Sequence, residues 1–217
     1  MPEHRTHSHQ INSHPIISFT LDDDFSLDPR WLLTFFEAEI QKGRQFADNE
    51  TVQIGWMIVK FQSNTSGDLE IWEPQFDSFP IQWIKGANNT FRHLILQKSV
   101  CEQFACEPDF PSLEQAGIVS PRFLVHQDGF SMSRDQPANS DSGWVFVAPS
   151  EIGEEGEFRS LFEICFYHTE IIAFLALPVG TSVKKTKGFL EVEVNSRILS
   201  SKDNDLLRKL SESPNIV

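Results

Sequence analysis

The sequence predicts an α+β protein: two small mixed α/β modules, with antiparallel-rich sheets flanked by helices. Three observations predict it. Apolar residues recur at helical spacing after Asp28-Pro29 and again after Asn88-Asn89-Thr90. Between these stretches they alternate across 51–73, around turn residues at 64–68. Beyond Pro121 the pattern changes to short strand-like runs separated by Gly, Pro and Ser. No repeat is visible. The expected layout is a disordered tail (1–15), a helix–hairpin–helix companion module (16–118), a strand-rich α+β module (119–200) and a polar tail (201–217).

The elements follow in order. Asp28 can cap a helix and Pro29 suits its first position. Trp31, Leu32, Phe35, Phe36 and Ile40 then form one apolar face, and Lys42-Gly43 closes the helix, giving 29–42. Val52 to Phe61 is apolar on both faces and reads as one central strand. Asn64-Thr-Ser-Gly67-Asp68 is turn chemistry, and Leu69 to Pro74 returns as the second arm of a hairpin. Ile81 to Ile84 is a third, short strand. A helix capped by Asn88-Asn89-Thr90 runs to Phe104, with Phe91, Leu94, Ile95, Val100 and Phe104 inward. A helical turn is expected at 112–116, ended by Gly117. Arg122 to His126 reads as a strand, 127–142 as a long polar loop, and Trp144 to Val147 as a compact strand. Phe162, Ile164 and Phe166 alternate with Glu163, Cys165 and Tyr167, which predicts a strand. A short helix from Thr169 or Glu170 reaches Leu175. Pro178-Val-Gly180-Thr is a turn, Phe189 to Val194 the last strand, and Asp205 to Leu210 a helical stretch in the tail.

Composition bounds the function. The 217 residues suffice for a self-supporting core, and 40% are apolar. Nineteen phenylalanines against one tyrosine point to core packing. The longest apolar run, Ile171 to Leu177, stops at Pro178 and is far short of a membrane helix. The N-terminal 15 residues lack the apolar stretch of a signal peptide. Cys101, Cys106 and Cys165 are odd in number and read as free thiols in a reducing cytoplasm. The net charge of −13 disfavours nucleic acid and anionic membranes as partners and suits a basic protein.

Motifs for catalysis are missing: no GxSxG, P-loop, HExxH or GxGxxG occurs. Cys101-x4-Cys106 does not have the spacing of a zinc knuckle. His4, His7, His9 and His14 lie together in the N-terminal tail with no cysteine or fixed carboxylate to complete a metal site, so neither metal nor cofactor is expected. Carboxylate neighbours such as Asp22-Asp23-Asp24 and Glu191 with Glu193 read as solvated faces among 31 acids. The alternative to a binding protein is an enzyme or small-ligand binder with a pocket between the two halves, lined by His126, Cys165 and His168.

One constellation is more specific. Asp141-Ser142-Gly143-Trp144 leads into a strand with Phe146. An acidic loop from Glu151 to Glu157 follows, and Pro178-Val-Gly180-Thr lies near the end. In that order these elements resemble bacterial immunity proteins of polymorphic toxin systems, over about residues 119–195. The resemblance implies a protein that binds a toxin and neutralises it, without catalysis. It places the partner-binding residues at Asp141, Ser142, Trp144, Glu151, Glu154, Glu155 and Glu157. Residues 128–170 hold nine acids against two bases, a patch that would steer a basic toxin or mimic phosphate. Trp144 has two readings: an aromatic anchor in the interface, or a core side chain beneath its strand.

Overall fold

The fold comes from a computed structural model, which describes residues 2–7, 13–22, 25–125, 129–151 and 155–212. Two compact units emerge, Met1–Ile95 and Leu96–Val217. Each is built on its own mixed, mainly antiparallel sheet with helices beside it, so the chain is α+β.

The first unit contains β1 (Glu3–Arg5), β2 (Ile17–Thr20), α1 (Arg30–Gln41), β3 (Thr51–Ile54), β4 (Met57–Ser63), β5 (Leu69–Gln75) and β6 (Gln82–Lys85). The helix α2 (Asn88–Phe104) begins in it. The strand order is β1-β2-β5-β4-β3, with β6 on the far half of β5, and only β2 and β5 run parallel. Leu32, Phe36 and Ile40 of α1 are fully buried with Val59, Phe61 and Ile71 of the sheet. The Phe36 ring meets Phe46 and Phe61 edge-on, at 5.3 and 5.5 Å between centroids.

Two expectations change here. Residues 52–61 are two strands, because Gly55 takes φ +62° and turns the chain after β3, and β4 folds back on it from Ile54↔Met57 to Thr51↔Lys60. The described part of residues 1–15 is structured, since β1 pairs with β2 and His14 is fully buried. His14 Nε2 accepts the Phe46 N–H (2.9 Å), so its proton sits on Nδ1 and is donated to the Pro15 carbonyl (2.7 Å). His9 lies outside the described residues.

Helix α2 starts where the Asn-Asn-Thr signal places it, but its cap comes from elsewhere. The buried Glu73 carboxylate accepts the N–H groups of Asn89 (2.9 Å) and Thr90 (2.7 Å) and the Thr90 hydroxyl (2.8 Å). Burial pushes the Glu73 carboxyl above its ordinary value, and these donors oppose the rise.

The second unit contains β7 (Ala116–Val119), β8 (Gly129–Arg134), β9 (Asp141–Val147), β10 (Glu157–Ser160), α3 (Leu161–Tyr167), β11 (Ser182–Thr186), β12 (Phe189–Val194), β13 (Arg197–Ser200) and α4 (Asp205–Glu212). Its strand order is β10-β7-β9-β8-β11-β12-β13, and only β7 and β9 run parallel. The division between units falls earlier than the 118/119 junction expected from pattern. The end of α2 is tied into the second unit: Gln97 donates to the Ile172 carbonyl (2.9 Å) and the Cys101 thiol to that of Ala176 (3.5 Å).

Several elements differ from expectation. Ala116–Val119, read partly as a helical turn, is strand β7. Phe123–Val125 is a 3-10 turn rather than a strand, and His126 lies outside the described residues. The expected loop over 127–142 contains strand β8. Residues 161–167 are helical, because Ser160 caps them by accepting the Glu163 N–H (3.1 Å). Strands β11 and β13 flank β12, which is therefore not the last. The expected short helix after Thr169 is a 3-10 helix, Thr169–Phe174, and the tail helix is α4.

One face of this sheet carries the core. Phe130 and Met132 of β8, Trp144 and Phe146 of β9, and Val192 of β12 are buried, as are Leu207 and Leu210 of α4 and all of 171–177. Along β8 and β9 the alternate positions, Ser131, Ser133, Val145 and Val147, face the other way and are half-buried.

Candidate partner-binding surface

The residues of the two motifs meet around one buried arginine. The Arg134 side chain is only 2% exposed. Its guanidinium donates to the carbonyls of Leu177 (2.5 Å), Asp109 (2.7 Å) and Ser142 (3.4 Å). The Asp109 carboxylate lies 3.4 Å away, and the Trp144 ring centroid 5.6 Å. The Arg134 backbone is bound as well. Its carbonyl accepts the Gly180 N–H (2.8 Å), and its N–H donates to Thr181 (3.0 Å). Thr181 closes the turn by donating its hydroxyl to Pro178 (2.7 Å). Burial lowers the Arg134 pKa, and Asp109 opposes that shift. Sequence reading counted Arg134 only as a charge. The readable signal was its place after Phe130 and Met132 on an alternating strand.

The Asp-Ser-Gly-Trp segment is held from every side. Asp141 accepts the Gly143 N–H (2.8 Å). Ser142 is fully buried and donates its hydroxyl to Ala116 of the neighbouring β7 (2.7 Å). Trp144 is also fully buried, and its indole N–H donates to the Leu175 carbonyl (3.0 Å). Of its two readings, Trp144 occupies the core position.

The acids do not share one environment. The Glu151 side chain is 11% exposed, and its carboxylate accepts the Arg122 N–H (2.8 Å). Glu157 is 57% exposed and pairs with Arg159 at 2.6 Å; Arg159 also lies 3.6 Å from Glu163. Glu155 is exposed, and Glu154 lies outside the described residues. Glu155 and Glu157 thus reach solvent, while Glu151 secures the start of the Phe123–Val125 turn.

Cys165 and His168, considered for chemistry, are buried, and His126 lies outside the described residues. Desolvation pushes the Cys165 thiol well above its ordinary value and that of Cys101 up to about 12, so both stay protonated at neutral pH. All three cysteines are free thiols. His168 is buried, with Nε2 2.7 Å from the Phe123 carbonyl and Nδ1 3.6 Å from Glu170. Desolvation raises the Glu170 pKa, but hydrogen bonding from His168 and its own backbone outweighs it and leaves the carboxyl below its usual range. Among the described residues no group of His, Cys, Asp and Glu is placed to hold a metal ion, and no helix is long and apolar enough to cross a membrane.

With Arg134, the Trp144 segment and the Pro178 turn joined, the comparison with known families falls on the same stretch. Residues 96–193 match the Imm33-like domain. The Imm33-like stretch runs from the second half of α2 into β12 and fits an immunity-protein family. Residues 1–95 lie outside it. No curated protein and no solved structure matches the chain.

Proposed function

We propose that this chain is a bacterial immunity protein, which binds a cognate effector toxin in the cytoplasm and neutralises it by occupying its surface rather than by catalysis. The observation that carries the reading is the Imm33-like match over residues 96–193. The charge supports the partner's chemistry. The second unit holds eighteen acids against eleven bases, a net of −7, which favours encounter with a basic toxin domain. Of the residues named from the resemblance, Glu155 and Glu157 are exposed, which supports direct contact with that partner, and Glu154 lies outside the described residues. Asp141, Ser142, Trp144 and Glu151 act through the strand and turn they hold. The mechanism needs neither metal nor cofactor.

The experiment is co-purification with the toxin domain encoded beside this chain's gene. A complex that survives size-exclusion chromatography is expected. Reversing Glu154, Glu155 and Glu157 to Lys is expected to slow association by about tenfold and flatten its salt dependence. Unchanged kinetics in that variant would remove these acids from the interface, and absence of any complex would remove the function.

A further inference from the structure

The core side of the seven-stranded sheet is covered by α3, α4 and the 171–177 run; on its other side, among the described residues, the side chains of β8 and β9 are half-buried and Ser182 and Lys184 of β11 are exposed. A single cross-strand row crosses that side from edge to edge: Phe158↔Ile118↔Val145↔Ser133↔Ser182↔Glu193↔Ile198. The two ends are large and apolar, with Phe158 63% and Ile198 56% exposed. The middle is small. Ser131, Ser133 and Ser182 floor a depression of about 140 Å³, walled by Val145 and Val147 on one side and by Lys184 on the other.

We propose that this face is the docking surface for a basic protein partner, with apolar side chains of the partner seated in the serine-floored groove and its cations over the glutamates. This rests on the immunity reading and specifies where the toxin binds. Exposed Phe and Ile at the two ends of one row, over a groove floored by small hydroxyls, make a surface that takes protruding side chains. Seven strands at about 4.8 Å spacing, with about five residues each, span roughly 500 Å². That is most of the roughly 800 Å² per partner of a standard interface. The charge selects the occupant. Glu191 and Glu193 outnumber Lys184 on this side, and Glu155 stands exposed three residues before Phe158. A second copy of this chain would set −13 against −13.

The probe is the purified, catalytically inactivated toxin domain encoded beside this chain, titrated against the full-length protein. Ser133→Trp fills the groove and is expected to weaken binding by about a hundredfold; Phe158→Ala, which removes an exposed ring and leaves the core intact, by about tenfold. Unfolding midpoints of both variants are expected to match that of the unsubstituted chain. If Ser133→Trp does not fold, Phe158→Ala alone decides. A complex of unchanged affinity in the folded variants would overturn the docking surface and leave the immunity reading standing. Absence of any complex with the unsubstituted chain would overturn both. A homodimer that the same substitutions dissociate would make a second copy the occupant and overturn the proposal.

Discussion

A methyl group on Gly143 would sit 2.1 Å from the Asp135 carbonyl oxygen, at a residue whose φ is +78°. Both steric room and backbone conformation therefore demand glycine between Ser142 and Trp144. Gly143→Ala is expected to destabilise the chain by about 3 kcal/mol, read by denaturant unfolding; a loss below about 1 kcal/mol would contradict this. Arg134 is the other fixed point. Arg134→Met leaves buried carbonyls of Leu177 and Ser142 without their donor and is expected to cost about 3 kcal/mol. Arg134→Lys should recover little of it, because an ammonium cannot reproduce the guanidinium's planar fork. His93 sets a pH dependence. Desolvation first, then the Arg92 charge, lowers its pKa from 6.5 to about 3. It is neutral, with Nδ1 accepting the Trp56 indole N–H (3.1 Å). A depressed folded pKa means that its contribution is complete above pH 6.5 and declines as pH falls towards 3. His93→Gln keeps an acceptor for Trp56 and removes the titration. Between pH 6.5 and pH 5 the unsubstituted chain is expected to lose about 2 kcal/mol more than this variant; equal losses would show that His93 does not titrate against burial.

Elements were legible where two signals agreed. Helix α1 has an apolar stripe and a closing glycine, and α2 has its Asn-Asn-Thr start, so both appear close to their expected limits. Where one signal stood alone it misled. Phe162, Ile164 and Phe166 alternate as a strand would, yet the helix buries Leu161, Phe162, Ile164 and Cys165 and leaves Phe166 half-buried. The deciding signal was Ser160 three residues before Glu163, the capping-box spacing. Ser160→Ala is expected to destabilise the second unit by about 1 kcal/mol in thermal unfolding, and an unchanged midpoint would assign the helix to packing alone. Strand β8 was hidden because its outward residues are serines and its last inward residue is an arginine, so polarity outweighed alternation. At 55, a glycine among apolar residues marked a turn inside what read as one strand.

At the scale of the whole molecule, the chain divides between Ile95 and Leu96, inside α2, where no change of pattern marks the sequence. The resemblance was read over about residues 119–195, and the Imm33-like match covers 96–193, beginning earlier, inside α2. The resemblance did not separate residues that build the fold from residues that face outward, since burial depends on a sheet whose strands pair across up to 57 residues of sequence, as β8 and β11 do from Gly129↔Thr186 to Ser133↔Ser182. Ser142 and Trp144 proved interior; Glu155, Glu157, Phe158 and the serine row proved exterior. The central claim is neutralisation of a toxin, and growth rescue tests it most directly. Cells expressing the adjacent toxin domain are expected to stop dividing, and co-expression of this chain to restore growth, with the Ser133→Trp chain failing at equal abundance. Growth arrest that persists with the unsubstituted chain present and folded would contradict the account.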